Sequence, residues 1–410
     1  MVDLRAFKLF TAFAVVATSV FAQNHSSEQS EAQITDPNQE CTTYSYPTVA
    51  QNIANFPTIW QPATLLASDS AGQALWSKIA SGVPNIPPKG QLNGSTINVT
   101  YDSVNDPDCW WTIHQCTTPK LTGLPSDVAS IPEPKSMGYA FDDGPNCTHN
   151  AFYNYLSSQN QKATMFYIGS NVLDWPLEAQ RALADGHEIC AHTWSHRYMT
   201  AFASQDAFAE LWYSVKAIKL VTGVTPTCWR PPYGDVDDRI RYIANAMGLQ
   251  TIIWKFDSND WRVGTNNITA ADVDADYGLF ISNLTAGTFN GVGGIMLTHE
   301  LNNFTMQEAV NWYPQLKSAF SHMVPIGVAL NKTQPYVETN YSLPTFQQYI
   351  SGQITAVGNA STTTPGASQS PSPSSATSNK KSSAVTIRVS SSGTWWTLLS
   401  AGMLLSGLLL

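Results

Sequence analysis

Five short clusters in the 410-residue chain carry residue types that could do chemistry. In Tyr139-Ala140-Phe141-Asp142-Asp143-Gly144-Pro145, a buried strand reads as ending at Phe141, and Gly144-Pro145 breaks the chain just past two carboxylates. Neighbouring side chains at a strand end diverge, so one carboxylate can bind a metal while the other faces a water molecule. A turn with helix-capping acids is the structural alternative. In the second cluster, His192 and His196 stand four apart, which puts both imidazoles on one face if this turn is helical. Two such histidines plus a distant carboxylate make a common zinc set with a position left open to water. No Glu stands beside His192 as in the zincin helix, which excludes that protease pattern. The third cluster, Cys228 to Gly234, ends a strand in Arg230 and locks the next loop with Pro231 and Pro232. A rigid loop of this kind holds backbone N–H groups ready for an oxyanion, although an Arg before a structural turn would look the same. The fourth, Asp257-Ser258-Asn259-Asp260-Trp261, and the fifth, Ile295 to His299, also follow strands, and each alone says little.

The elements that must position these residues occupy roughly 136–331. Strand-like runs at 137–141, 164–168, 188–191, 227–230, 251–256, 294–298 and 324–330 alternate with helical patterns at 149–159, 176–185, 205–221, 235–247, 270–284 and 305–321. Such alternation predicts an α/β fold with a parallel sheet and right-handed crossovers. The pattern does not choose between open sheet and barrel, but both bind ligands at the carboxyl ends of the strands. All five clusters fall at such ends.

Taken in order, FDDGP, HTWSH, RPPYG, DSNDW and LTH resemble the motif set of the polysaccharide deacetylase (NodB-homology) family of carbohydrate esterases, over roughly Ser136 to Leu330. The resemblance implies a distorted (β/α) barrel of about seven strands and one divalent metal ion, zinc or cobalt. It implies that Asp143, His192 and His196 ligate the metal, that Asp142 is the general base, and that Arg230 orients that base. The backbone N–H of Tyr233 would stabilise the oxyanion. His299 would be the general acid, with Asp260 or Asp257 as its carboxylate partner. Trp261, Leu297 and Asp257 would line the pocket for the acetyl group. Amide hydrolysis needs an activated water, a stabilised oxyanion and a proton for a poor leaving group, and this set offers each. A base beside a metal stays ionised near neutral pH, and a carboxylate behind His299 favours its protonated form.

The rest of the chain bears on location and substrate. Hydrophobic residues make up 43% and charged residues 12%, enough to bury a sizeable core, and the net charge of −9 without a basic run argues against nucleic acid. Thirteen tryptophans suit sugar rings, although most belong to a core. Arg5 and Lys8 precede an apolar run, Leu9 to Val20, too short to span a bilayer, which reads as a signal peptide at 1–22 cleaved after Ala22. A loop-rich extension follows at 23–135, and after the catalytic region a segment at 331–359 packs on it. Ser, Thr and Pro dominate 360–384, a stalk that can form no core. Ser382-Ser383-Ala384, a polar spacer and the apolar tail Trp395 to Leu410 read as a GPI signal at 385–410, with attachment at Ser382 or Ser383. Sequons at Asn24, Asn93, Asn98, Asn146, Asn267, Asn283, Asn303, Asn331, Asn340 and Asn359 fit a secreted glycoprotein. Six cysteines allow fifteen pairings, of which only Cys109–Cys116 is suggested by closeness. These features resemble the wall-attached chitin deacetylases of fungi. They imply a monomeric, GPI-anchored surface enzyme that converts chitin and water to chitosan and acetate. An acetylxylan esterase, an oligomer-specific deacetylase and a non-catalytic chitin-binding wall protein are the alternatives.

Overall fold

The structure, a computed structural model, describes residues 24–95 and 99–353 and the backbone of 357–358. The expected signal peptide, stalk and GPI segment, with the sequons at Asn98 and Asn359, lie outside these residues. Among the described residues no helix is long and apolar enough to cross a membrane.

The longer strands are buried along their whole length, as parallel strands covered by helices must be. β1 (Met137–Gly138) and β2 (Ala140–Gly144) are two halves of one strand separated by Tyr139. β1 pairs in parallel with β8 (Gly294–Leu297) and β9 (Met323–Val324). β2 pairs with β3 (Thr164–Tyr167), and β3 with β4 (Glu188–Ala191). β4 pairs with β5 (Cys228–Trp229), and β5 with β6 (Gln250–Thr251). After four intervening residues the same segment has crossed to the other side, where β7 (Phe256–Asp257) pairs with β8. A further parallel bridge between Asp142 and His299 ties β2 to the end of β8. The path therefore closes on itself as a distorted barrel of parallel strands. Its distortion sits at 250–257, whose lower half belongs to β5 and upper half to β8. Val128 bridges Ile252 and Ile131 bridges Gly293, so the N-terminal segment is stitched across this seam.

The expected helices are present as Asn150–Ser158, Pro176–Ala184, Ser204–Thr222, Asp238–Ala246, Ala270–Thr285 and Asn303–Ala319. One expected strand is not. The run 324–330 is extended only through Val324, and Ile326–Ala329 forms a helical turn after Pro325. A short apolar run does not distinguish strand from helix by itself. Here the helical turn is selected by side chains of the barrel, because Thr164 Oγ1 accepts from Ile326 N at 2.8 Å and Glu188 Oε2 from Gly327 N at 2.8 Å. The helix Gly169–Asp174 gave no separate signal in the sequence.

Three disulfides are formed: Cys109–Cys116, Cys41–Cys147 and Cys190–Cys228. Cys41–Cys147 fastens an N-terminal arm containing the short helices Glu28–Glu31 and Pro37–Glu40. Glu31 and Glu40 of this arm, and Glu178 of the helix Pro176–Ala184, are buried, and each keeps one carboxylate oxygen without a hydrogen-bond partner among the described residues. Burial, with mutual repulsion, pushes Glu40 up to about 7 and Glu178 up to about 8. Carboxyls that titrate higher in the docked arm than in an unfolded chain, where they titrate near 4.5, favour docking fully below that pH. The contribution is lost as pH rises through 7 to 8. Amide protection factors over residues 24–46, that is exchange rates corrected for intrinsic base catalysis, are therefore expected to be lower at pH 9 than at pH 5, and Glu178→Gln is expected to reduce the difference.

Of the sequons described, Asn24, Asn93, Asn267, Asn303, Asn331 and Asn340 are exposed, and Asn146 and Asn283 are half-buried. Asn146 is also committed internally, its Nδ2 donating to the Leu301 carbonyl at 2.7 Å.

Candidate active site

All five clusters meet at the carboxyl ends of the strands, around a cleft of about 550 Å³. Asp142 and Asp143 lie within β2 itself, not beyond its end, and the register against β3 slips between Asp142 and Gly144. Asp143 has φ 73°, a backbone region that few non-glycine residues adopt. The slip and the left-handed turn separate the two carboxylates. Gly144 must be glycine, because a Cβ there would stand 2.6 Å from both Glu300 Oε2 and the Tyr167 ring. Glu300 in turn accepts from Asn146 N at 2.9 Å and Tyr153 OH at 2.8 Å, and pairs with His149 Nδ1 at 2.8 Å.

The histidines are not on a helix. They sit on the loop after β4, where Thr193 (φ 63°) and His196 (φ 55°) take left-handed conformations that return His196 toward His192. Buried Glu210, on the helix Ser204–Thr222, holds this loop by accepting from Trp194 N at 3.0 Å, Ser195 N at 2.8 Å and Ser195 Oγ at 2.7 Å.

Asp143 Oδ1 lies 3.1 Å from His196 Nε2 and 3.4 Å from His192 Nε2. It is buried and makes no well-aligned hydrogen bond among the described residues, so the three groups converge on a shared point. Their three donor atoms lie within 4.8 Å of one another. The Arg230 carbonyl lies 2.8 Å from His192 Nδ1; an N–H donated there leaves the Nε2 lone pair facing that point. Burial would raise the Asp143 carboxyl, but the His196 and His192 imidazoles hold it well below the usual carboxylate range. A divalent cation fits this set of two imidazoles and one carboxylate. Two other groupings among the described residues, Asp106 with Cys109 and Cys116, and Glu188 with Cys190 and Cys228, have their sulfurs in disulfides and offer no thiolate.

On one side of the triad, Arg230 Nη1 donates to Asp142 Oδ1 at 2.6 Å, with both residues buried. The guanidinium lies 4.0 Å from the Phe166 ring centroid, and its Nε and Nη2 have no hydrogen-bond partner. On the other side, Asp260 Oδ1 is 2.5 Å from His299 Nδ1, and Asp260 Oδ2 accepts from His299 N at 3.0 Å. The structure thus places Asp260 and not Asp257 against His299. Asp257 Oδ1 instead accepts from Asn259 N at 2.8 Å, and Asp257 lines the cleft. Burial lowers the His299 pKa, but the charge and hydrogen bond of Asp260, helped by Asp143 and Asp142, outweigh it and raise the imidazole to about 10.

Tyr233, with φ 58°, lies on the turn after Pro231 and Pro232, and its ring stacks on Tyr198 at 4.2 Å between centroids. Trp261 is 45% exposed and Leu297 buried, both on the cleft wall. The clusters missed several other wall residues, namely Tyr198, Trp254, Lys255 and Leu301, and also Trp111 and Gln115 from the N-terminal extension. Only the pairing of Cys109 with Cys116 around Trp111 and Gln115 marked that stretch in the sequence.

Comparisons with known proteins show the family of the chain. The family model described as polysaccharide deacetylase matches residues 129–252. Chitin deacetylase 2 of Cryptococcus neoformans var. grubii is 52% identical over 83% of this chain and 75% of its own length. The chitin deacetylase of Amylomyces rouxii is 41% identical over 82% of this chain and 85% of its own. Among solved structures, the chitin deacetylase of Colletotrichum lindemuthianum matches with TM-score 0.47 and 21% identity, covering 52% of this chain and 96% of that one. The chain belongs to the polysaccharide deacetylase family.

Proposed function

We propose that the protein is a metal-dependent chitin deacetylase, hydrolysing the N-acetyl groups of N-acetylglucosamine residues to leave chitosan and acetate. The observation that carries this reading is one cleft in which a ligand triad stands between a buried Asp–Arg pair and a buried His–Asp pair. Relatives at 52% and 41% identity over most of the chain are named chitin deacetylases.

Asp143, His192 and His196 would hold one divalent ion, zinc or cobalt, which supplies the electrophilic charge for activating water and stabilising an oxyanion. Asp142, fixed by Arg230, takes the proton of the attacking water. The backbone N–H of Tyr233 meets the oxyanion. His299, kept protonated by Asp260, delivers a proton to the departing amine nitrogen. Trp261 and Leu297 receive the acetyl methyl, and Asp257 borders that pocket.

The same reading places the enzyme at the fungal cell surface. A signal peptide at 1–22 would export it, and a GPI lipid at Ser382 or Ser383 would hold it, as a monomer, beside the chitin of the wall. Support comes from the terminal sequence patterns and the sequon density.

The test is acetate release from N-acetylglucosamine oligomers by the purified protein. Dialysis against a chelator should abolish it, and added zinc or cobalt should restore it. Asp143→Ala, His192→Ala and His196→Ala should each lose bound metal, measured by elemental analysis. Release from acetylxylan alone would assign the protein to the esterases instead.

A further inference from the structure

The residues lining the active-site cleft come from the barrel and its loops, with two exceptions, Trp111 and Gln115. Both lie inside the loop closed by Cys109–Cys116, in the N-terminal extension. This loop is held far more firmly than an exposed connection requires. Arg241, itself gripped by Asp127, donates to the carbonyls of both cysteines, at 2.6 Å to Cys109 O and 2.8 Å to Cys116 O. Asp235 accepts from Trp110 Nε1 at 2.8 Å and from Thr112 Oγ1 at 2.5 Å. Trp111 N donates to the Val236 carbonyl at 3.0 Å. Asp235 and Val236 directly follow the turn that carries Tyr233, so the loop is registered to the reaction centre.

The Trp111 indole is positioned by packing. Its ring centroid lies 5.0 Å from that of Trp254, and its Nε1 is buried with no hydrogen-bond partner among the described residues. It also lies so close to Gly234 that a Cβ there would come within 2.2 Å of the ring. A side chain at 234 would push the indole off the turn. A rigid indole with an exposed amide beside it, on the wall of a cleft that takes a sugar chain, suits stacking against one pyranose face and hydrogen bonding to its substituents. We propose that the Cys109–Cys116 loop forms a sugar subsite next to the reactive one, with Trp111 as its platform and Gln115 as its polar contact. The N-terminal extension then sets the preference for chain length.

This proposal rests on the chitin-deacetylase reading. Its test is acetate release by the metal-loaded enzyme from β-1,4-linked N-acetylglucosamine oligomers of increasing length, for the parent, Trp111→Ala, Trp111→Phe and Gln115→Ala. In the parent, kcat/KM should rise with length. Trp111→Ala should flatten that rise through KM, by about ten-fold at the longest oligomer, as loss of one aromatic platform predicts. Trp111→Phe should recover most of it. Gln115→Ala, at an exposed position, should give a smaller loss in the same direction. An equal fall at every length, or a fall in kcat alone, would show that the loop only props the Tyr233 turn and would overturn the subsite. So would variants that keep the parent's length dependence. A parent inactive on every oligomer would overturn both readings.

Discussion

Asp142→Asn is expected to lower kcat/KM for acetate release by about 10³-fold, within the range that a positioned general base contributes, while bound metal stays at the parent level. Asp142 Oδ2 lies 3.7 Å from His192 Nε2, farther than the Asp143 contacts of 3.4 and 3.1 Å, so the triad does not depend on it. The same substitution should also destabilise the fold. Arg230 is fully buried, and among the described residues Asp142 is its one hydrogen-bonding carboxylate, with no partner for Nε or Nη2. Asparagine keeps the shape and one acceptor oxygen but leaves the guanidinium charge uncompensated. Breaking a buried pair in this way costs about 3–5 kcal/mol. Asp142→Asn combined with Arg230→Met removes the stranded charge and should regain much of that stability in thermal unfolding. Activity should stay lost in the double variant. If the double variant regained activity as well, Asp142 would be a structural partner of Arg230 and not the base.

The chemistry was legible in the sequence because each reactive residue lies in the last residues of a strand or just after one, and strand ends of a parallel barrel share one face. That shared face brings Asp142, Asp143, His192, His196, Arg230, Asp260 and His299 to one end of the barrel. The route by which His192 and His196 meet was not legible. Four residues apart suggested a helical turn, whereas two left-handed residues and the Glu210 carboxylate bring the rings to 4.9 Å. Glu210 itself reads as one polar residue of an amphipathic helix, and only the loop packed above it shows why it is buried. The family resemblance names Asp260 ahead of Asp257 as the partner, and the turn through Asn259 (φ 52°) shows how the chain sets Asp260 against His299. Among fifteen possible pairings, Cys190–Cys228 follows from β4 and β5 being neighbours, a fact of topology that spacing does not encode. The extension before residue 136 looked like packing material, yet it supplies Trp111 and Gln115 to the cleft. Segments without periodicity give no hint of which surface they will cover.

His299→Ala is expected to separate two reactions of the same site. An N-acetyl group leaves an amine that must be protonated, so kcat on N-acetylglucosamine oligomers should fall by about 10² to 10⁴-fold. An activated ester such as 4-nitrophenyl acetate leaves as a stable anion and needs no acid. Its hydrolysis should fall by no more than about ten-fold, because the base and the triad remain in place. Asp260→Asn gives the pH counterpart. In the parent, Asp260 is the principal group that overcomes burial and raises His299 to about 10. A cation at the triad offsets the smaller contributions of Asp142 and Asp143 and leaves that of Asp260, which is bonded directly to the ring. Removing the Asp260 charge therefore lowers the His299 pKa, and the acid form is lost at a lower pH. The alkaline limb of kcat/KM should move down by about one unit or more, the usual effect of an opposite charge at hydrogen-bond distance, while the acid limb stays fixed. An alkaline limb that does not move, or an ester rate that falls as far as the amide rate, would mean that His299 positions the substrate without protonating its nitrogen.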